Sequence, residues 1–243
     1  MEKIEKLIEY YDELFPVKEE KVTFFDNLLK EFQQPAKILT INCGTGLFEQ
    51  KLAKIGYNIT GIEESAELIK RANLRRRTQL MYIRYFQMLY SDISKFLHCG
   101  FYNVISITDN KIMCLESRKQ IEIFFIDCKK LLSNNGVLVL ELCNFENTSS
   151  LSSIKLPVRQ SIRSKMISEI HTNSFGDKFL KSVIETGNGN ITTIFNNKPV
   201  YTLEPEEIED FAANAGFHRA DFYSDYNKNT FTGDEESYIV ELK

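Results

Sequence analysis

A chain of 243 residues, 43% hydrophobic and 26% charged, can bury a sizeable core and fits one large α/β domain with an insertion, or one domain and a small lid. The formal net charge of −4 argues against bulk electrostatic binding to nucleic acid, which needs concentrated positive charge on one face. Apolar runs such as Val137 to Leu140 fall far short of a membrane span, so no membrane partner is expected.

Residues 2–15 pattern as an amphipathic helix, with Ile4, Leu7, Ile8, Tyr11, Leu14 and Phe15 on one side and Pro16 as its stop. A second helix is predicted near 18–32, where Val22, Phe25, Leu28 and Leu29 recur at helical spacing. From Lys37, short β-rich runs at 38–42, 58–63, 86–89, 102–108 and 137–142 alternate with helical stretches at 46–55, 65–77 and 116–132. That alternation predicts a parallel sheet with helices on both faces. Beyond Asn144 the chain turns polar, then shows β alternation at 165–171, 179–185 and 190–195, separated by turn signals at 173–177 and 187–190. This predicts an antiparallel meander. A helix is expected at 204–215, opened by Pro205 and closed by Gly216, followed by strands at 217–225 and 237–242.

Five cysteines, odd in number and without a C-x-x-C pair, predict reduced thiols rather than a disulfide framework or zinc site. Three scattered histidines without H-x-x-x-H spacing give no metal site. Met1 to Leu14 lacks the apolar core of a signal peptide, and a cytoplasmic location is the expectation.

The run Lys37-Ile38-Leu39-Thr40-Ile41-Asn42-Cys43-Gly44-Thr45-Gly46 ends an apolar strand in two closely spaced glycines, and Glu63 closes a second apolar run seventeen residues beyond Gly46. Glycine lets the backbone turn sharply and approach a ligand, the next helix offers unpaired N–H groups, and a carboxylate at the second strand's end can take both ribose hydroxyls. A dinucleotide fingerprint would need a third glycine where this chain has Glu49. The arrangement therefore predicts a nucleoside cradle without a pyrophosphate site, and a nicotinamide oxidoreductase is disfavoured.

This motif resembles the first motif of class I S-adenosylmethionine-dependent methyltransferases. The resemblance runs over nearly the whole chain: Tyr10 to Pro16 is similar to the family's opening helix, Gly56 to Ser65 to its second strand and acidic end, Tyr90-Ser91-Asp92-Ile93 to its adenine-contacting acid, Tyr102 to Ser106 to its fourth strand, and Leu131 to Leu140 to its fifth. It implies a Rossmann-like, seven-stranded, mostly parallel sheet ending in an antiparallel hairpin, with a helical cap at 1–35, a core at 36–146 and 200–243, and an antiparallel β lid at 147–199. It also implies S-adenosyl-L-methionine as cofactor and a small-molecule substrate methylated at nitrogen or oxygen.

The cofactor residues implied are Tyr11, Thr40, Asn42, Cys43, Gly44, Gly46, Glu63 with its neighbour Glu64, Asp92 with the backbone of Ile93, and Thr108 with Asp109 at the fourth strand's end. The chain departs from the family pattern at Thr40, where an acid usually helps hold the methionine ammonium, at Asn42, usually glycine, and at Asn103, usually aspartate. For the substrate, Arg159 is a candidate partner for a carboxylate, and Tyr201, Tyr226 and His171 are candidates to orient or deprotonate the nucleophile. Two alternatives stay open: a catalytically degenerate relative, motivated by Thr40 and Asn42, and an RNA methyltransferase using the basic patch Arg75 to Arg77. Oligomeric state has no sequence signal.

Overall fold

The computed structural model describes residues 2–76, 82–146, 148 and 151–243. Arg77 of the basic patch, and residues 147, 149 and 150 at the start of the expected lid, lie outside these. Two N-terminal helices, α1 (Glu2–Leu14) and α2 (Glu19–Lys30), precede an alternating α/β core. That core runs β1 (Lys37–Ile41), α3 (Leu47–Ile55), β2 (Asn58–Glu63), α4 (Ala66–Arg76), β3 (Ile83–Gln87), α5 (Ile93–Phe96), β4 (Tyr102–Ile107), α6 (Arg118–Leu131) and β5 (Leu132–Cys143). An antiparallel sheet follows from β6 (Ser153–Lys155), β7 (Arg159–Gln160), β8 (Ser164–Thr172), β9 (Lys178–Thr186) and β10 (Ile191–Val200), before α7 (Pro205–Ala215) and the closing strands β11 (Ala220–Tyr223) and β12 (Ser237–Leu242).

The main sheet has the order β11-β12-β5-β4-β1-β2-β3, parallel except where β12 pairs antiparallel with β5 and with β11. Side-chain alternation divides its strands between two cores. Leu39 and Ile41 of β1, Ile105 and Ile107 of β4, and Leu138 and Leu140 of β5 face α6 and α7. Ile38, Val104, Val137 and Val139 face α2, α3 and α4. Strand order reverses between β1 and β4, and a crevice opens beyond their carboxyl ends at such a point.

The expected strand at 86–89 begins earlier, at Ile83, because Ile83 and Tyr85 point inward while Arg84 and Phe86 point out, the alternation of a half-covered edge. The short strands β6 and β7 have no sequence pattern of their own and exist by pairing with β8. The second sheet orders β10-β9-β8-β6, and β10 carries two register shifts, between Thr193 and Phe195 and between Phe195 and Lys198. Helix α1 packs on this second sheet: Tyr10 and Leu14 form one apolar cluster with Met166 and Ile184, and Glu13 pairs with Arg163. Helix α2 packs on α3 in the main core. Among the described residues no helix is long and apolar enough to cross a membrane.

Candidate active site

The turn after β1 has three residues in the left-handed region: Asn42 (φ 56°), Gly44 (φ 61°) and Gly46 (φ 74°). Asn is among the few side chains that tolerate this region, which accounts for its standing in a glycine-type position. The two glycines are needed for space as well. A Cβ on Gly44 would lie 2.2 Å from the Tyr11 hydroxyl, and one on Gly46 would lie 2.3 Å from that of Tyr85. Glu63 ends β2 with its carboxylate buried, one oxygen accepting from the Gly44 amide (3.0 Å) and the other from the Ser65 amide (3.1 Å). A carboxylate has about four lone-pair sites, so capacity for two hydroxyl donors remains.

At the end of β4, Asp109 (φ 60°) and Asn110 (φ 57°) are consecutive left-handed residues without a glycine, a backbone cost that is met by Glu141 of β5. The Glu141 carboxylate accepts from the Asp109 amide (2.9 Å) and its carbonyl from the Asn110 amide (3.0 Å). The Asp109 side chain stands among cations, 3.2 Å from Arg159 and 3.6 Å from Lys21. Burial alone would raise its pKa, but Lys21, Lys111 and Arg159 hold it well below the carboxylate range. Lys21 also donates to the Thr108 hydroxyl (2.8 Å) and pairs with Glu141 at 3.5 Å, and Tyr226 donates to Glu141 (2.8 Å).

Beside Lys21, the buried cation, Lys111 is a half-buried one. Its ammonium donates to the Asn42 carbonyl (2.6 Å) and to the Tyr11 oxygen (2.8 Å). Burial would lower its pKa, but Tyr11, Asp109 and Glu63 outweigh that and raise it, so it is charged at neutral pH. Burial in turn pushes the Tyr11 phenol up to about 12, against the pull of Lys111.

A cavity of about 610 Å³ joins these groups to the second sheet. Tyr11, Asn42, Glu63, Glu64, Asp109 and Lys111 line one end, and Leu156, Arg159, Met166, Ser168, Leu180, Ser182, Phe195 and Lys198 line the other. Phe195 and Lys198 reach it from the irregular stretch of β10, where bulges re-aim side chains. A smaller polar cavity lies beside the first, walled by Thr40, Cys43, Thr108, Lys21 and Glu49.

Most of the cofactor residues expected from sequence therefore converge, with some differences. Asp92 lies outside the 610 Å³ cavity, in an adjoining groove that Glu64 and Leu89 also line, and its carboxylate pairs with Lys95 at 2.7 Å. The Ile93 side chain is fully buried in the core, leaving only its backbone for a ligand. Burial pushes the Cys43 thiol well above its ordinary value.

The substrate candidates separate further. Arg159 reaches the cavity, but its guanidinium is engaged by Asp109 and lies 4.4 Å from the centre of the Phe15 ring. His171 sits on β8 outside the cavity, 44% exposed and 3.4 Å from Glu169. Tyr201 donates to Glu207 (2.7 Å) beside α7 and does not line it either. In the basic patch, Arg75 turns to Asp12 and the Thr45 carbonyl, and Arg76 to the Ile83 carbonyl.

Sequence reasoning missed Lys21, Glu49, Lys111 and Glu141. A signal existed for Lys21, which falls at helical spacing with Phe25 and Leu28 on the buried face of α2. For Lys111, a lysine just past a strand reads as surface, and the Tyr11 hydroxyl of the overlying α1 half-covers it.

Residues 39–140 match the family model described as a methyltransferase domain. A ubiquinone biosynthesis O-methyltransferase of Glaesserella parasuis is 29% identical over 115 residues, 44% of this chain and 45% of the relative. The curated relatives are matched over 45–60% of their own length. Among solved structures, an S-adenosylmethionine-dependent methyltransferase from Clostridium acetobutylicum superposes with a TM-score of 0.79 at 15% identity, covering 99% of this chain and 98% of that one. SAM-bound CalS10, an amino pentose methyltransferase of Micromonospora echinaspora involved in calicheamicin biosynthesis, gives 0.66 at 14% identity, covering 97% and 96%. At such identities the structural likeness establishes the fold.

Proposed function

From a core that belongs to the class I methyltransferase family, we propose that this protein transfers a methyl group from S-adenosylmethionine to a small-molecule acceptor at nitrogen or oxygen. The observation that carries the reading is the single cavity that runs from Glu63, Asn42 and Asp109 to the inner face of the second sheet. Its volume, about 610 Å³, is within the roughly 300–1,000 Å³ of small-ligand sites. Shared between a nucleoside cofactor and an acceptor, it leaves room for a small acceptor only.

When bound, S-adenosylmethionine supplies an electrophilic methyl group and its own leaving group. The chain's residues bind, align and exclude water, and proximity carries much of the rate. Gly44 and Gly46 give the close backbone approach, Glu63 takes the ribose hydroxyls, and Asp92 with the Ile93 backbone borders the adenine. Thr108 and Asp109 border the reacting end. Residues 147–199 act as the lid, with Leu156, Met166, Leu180 and Phe195 as apolar walls and Ser168 and Lys198 as polar ones. Arg159, tied to Asp109, fastens the lid to the core. An amine that arrives neutral attacks through its own lone pair and gives its proton to water after methylation, so it needs little beyond alignment. No observation among the described residues favours an RNA acceptor.

Calorimetric titration with S-adenosylmethionine, followed by mass-spectrometric screening of small amines and hydroxyl compounds, tests the reading. At about a hundred times its dissociation constant the cofactor adds roughly 2.7 kcal/mol of stability, a clear thermal shift. A folded sample with no shift at millimolar cofactor overturns it, and binding without turnover on any acceptor returns the degenerate relative.

A further inference from the structure

We propose that Glu49, in the first turn of α3, supplies the negative charge that Thr40 lacks and holds the ammonium at the amino-acid end of the cofactor. The proposal rests on the cofactor assignment above and deepens it. Glu49 is 2% exposed, and one of its carboxyl oxygens is buried without a hydrogen-bond partner. Buried polar atoms in folded proteins nearly all have a partner, so an orphan aimed into a cavity marks a place where a ligand donor belongs.

The cavity that Glu49 faces has about 40 Å³, enough for an ammonium-sized group and far too little for a nucleoside. Tyr11, Asn42, Asp109 and Lys111 line it and the 610 Å³ cavity alike, so the two are neighbours across one wall of side chains. Thr40 shares the smaller cavity, and its hydroxyl stands beside the Glu49 carboxyl. The acid missing from β1 is thus present on the helix that follows the glycine turn, facing the same space.

An acid in the first turn of a helix is also favoured by the helix dipole. A solvated carboxylate would satisfy the dipole, however, whereas this one is buried at a cost and keeps an oxygen unpaired. The groups that act on it are Lys21 from α2, Lys111 from the segment after β4, the Thr40 hydroxyl and its own backbone amide, and the Cys43 thiol and the Tyr85 phenol of β3 are titratable neighbours that feel its charge. Neither lysine is hydrogen-bonded to it: Lys21 donates to Thr108 and Lys111 to Asn42 and Tyr11.

Calorimetry of the full chain with two ligands tests this, using S-adenosylmethionine and 5′-methylthioadenosine, which keeps the adenosine and lacks the amino-acid end. Glu49→Gln should bind S-adenosylmethionine at least tenfold more weakly and methylthioadenosine unchanged. The double variant Thr40→Asp/Glu49→Gln, which returns the charge to β1, should recover most of the loss. If Glu49→Gln does not fold, the parent protein still decides. Its affinity for S-adenosylmethionine should rise with pH as Glu49 ionises, with proton release on binding, while that for methylthioadenosine stays flat. Equal affinities of parent and Glu49→Gln, a parallel loss of both ligands, or a flat pH profile for both overturns the proposal. A parent that binds neither ligand overturns the cofactor assignment, and this inference with it.

Discussion

The carboxylate of Glu63 accepts the amide of Gly44 across 3.0 Å, which makes the end of β2 and the turn after β1 one hydrogen-bonded unit. The same carboxylate also accepts from Ser65, at the start of α4. Three backbone segments meet at one side chain, which also lines the 610 Å³ cavity. Glu63→Gln should therefore weaken cofactor binding at least tenfold, since charge-assisted hydrogen bonds are worth about 1.5–3 kcal/mol. Exposed Glu67, in the first turn of α4 and outside the cavity, is the control. Equal losses from Glu63→Gln and Glu67→Gln in calorimetry would reject the carboxylate's role.

Lys111→Met should destabilise the unliganded protein by about 1.5–3 kcal/mol, because it removes the half-buried ammonium that donates to the Asn42 carbonyl and Tyr11 and stands near Asp109 and Glu63. The folded-state pKa of Lys111 is raised, so its contribution is complete below the ordinary lysine value of about 10.4 and is lost only as pH rises through the folded value. Urea midpoints of parent and variant should differ by a constant amount from pH 6 to 9.

Asp109→Asn separates charge from backbone strain, since Asn also tolerates the left-handed region that Asp109 occupies. The depressed folded-state pKa of Asp109 means stability present above the unfolded value of about 3.9 and lost as pH falls through the lower folded one. The variant should be less stable by on the order of 3 kcal/mol at pH 7. The difference should shrink below about pH 4, which denaturant titrations at pH 7, 4 and 3 would register.

Glu49→Gln carries the opposite sign. Burial raises the Glu49 pKa, only partly opposed by its own backbone amide, Thr40, Lys111 and Lys21, so the parent loses stability as pH rises from about 4.3 toward the folded value. The cofactor-free variant should melt above the parent at pH 7 and converge with it near pH 4. A residue that costs stability while empty is one retained for what it binds.

Ser168→Phe tests the acceptor end. Ser168 lines the cavity from β8, with its hydroxyl 2.8 Å from that of Ser182 on β9. A ring placed there narrows the lid end without touching Glu63 or Gly44. Turnover should fall by tenfold or more while the dissociation constant for S-adenosylmethionine changes less than about threefold, a change worth under 1 kcal/mol. Unchanged turnover would mean that the acceptor sits elsewhere.

By itself the sequence determined whatever depends on short-range order. The 2.0 and 3.6 periodicities set the alternating strands and helices, and the Gly44, Gly46 and Glu63 spacing reports a turn and a strand end that lie next to each other in any parallel β1–β2 pair. The antiparallel meander was legible in the same way, down to its turns. What the tertiary structure decided are contacts between segments far apart in the chain: Lys111 beneath Tyr11, a hundred positions away, Arg159 against Asp109, and Lys21 between Thr108 and Glu141. A charged side chain reads as solvated unless something covers it, and the cover here is α1 and the inserted sheet, whose packing no local pattern encodes. Thr40 read as a missing charge for the same reason. Its replacement, Glu49, lies nine positions along the chain, and only the return of α3 against β1 turns that carboxylate inward.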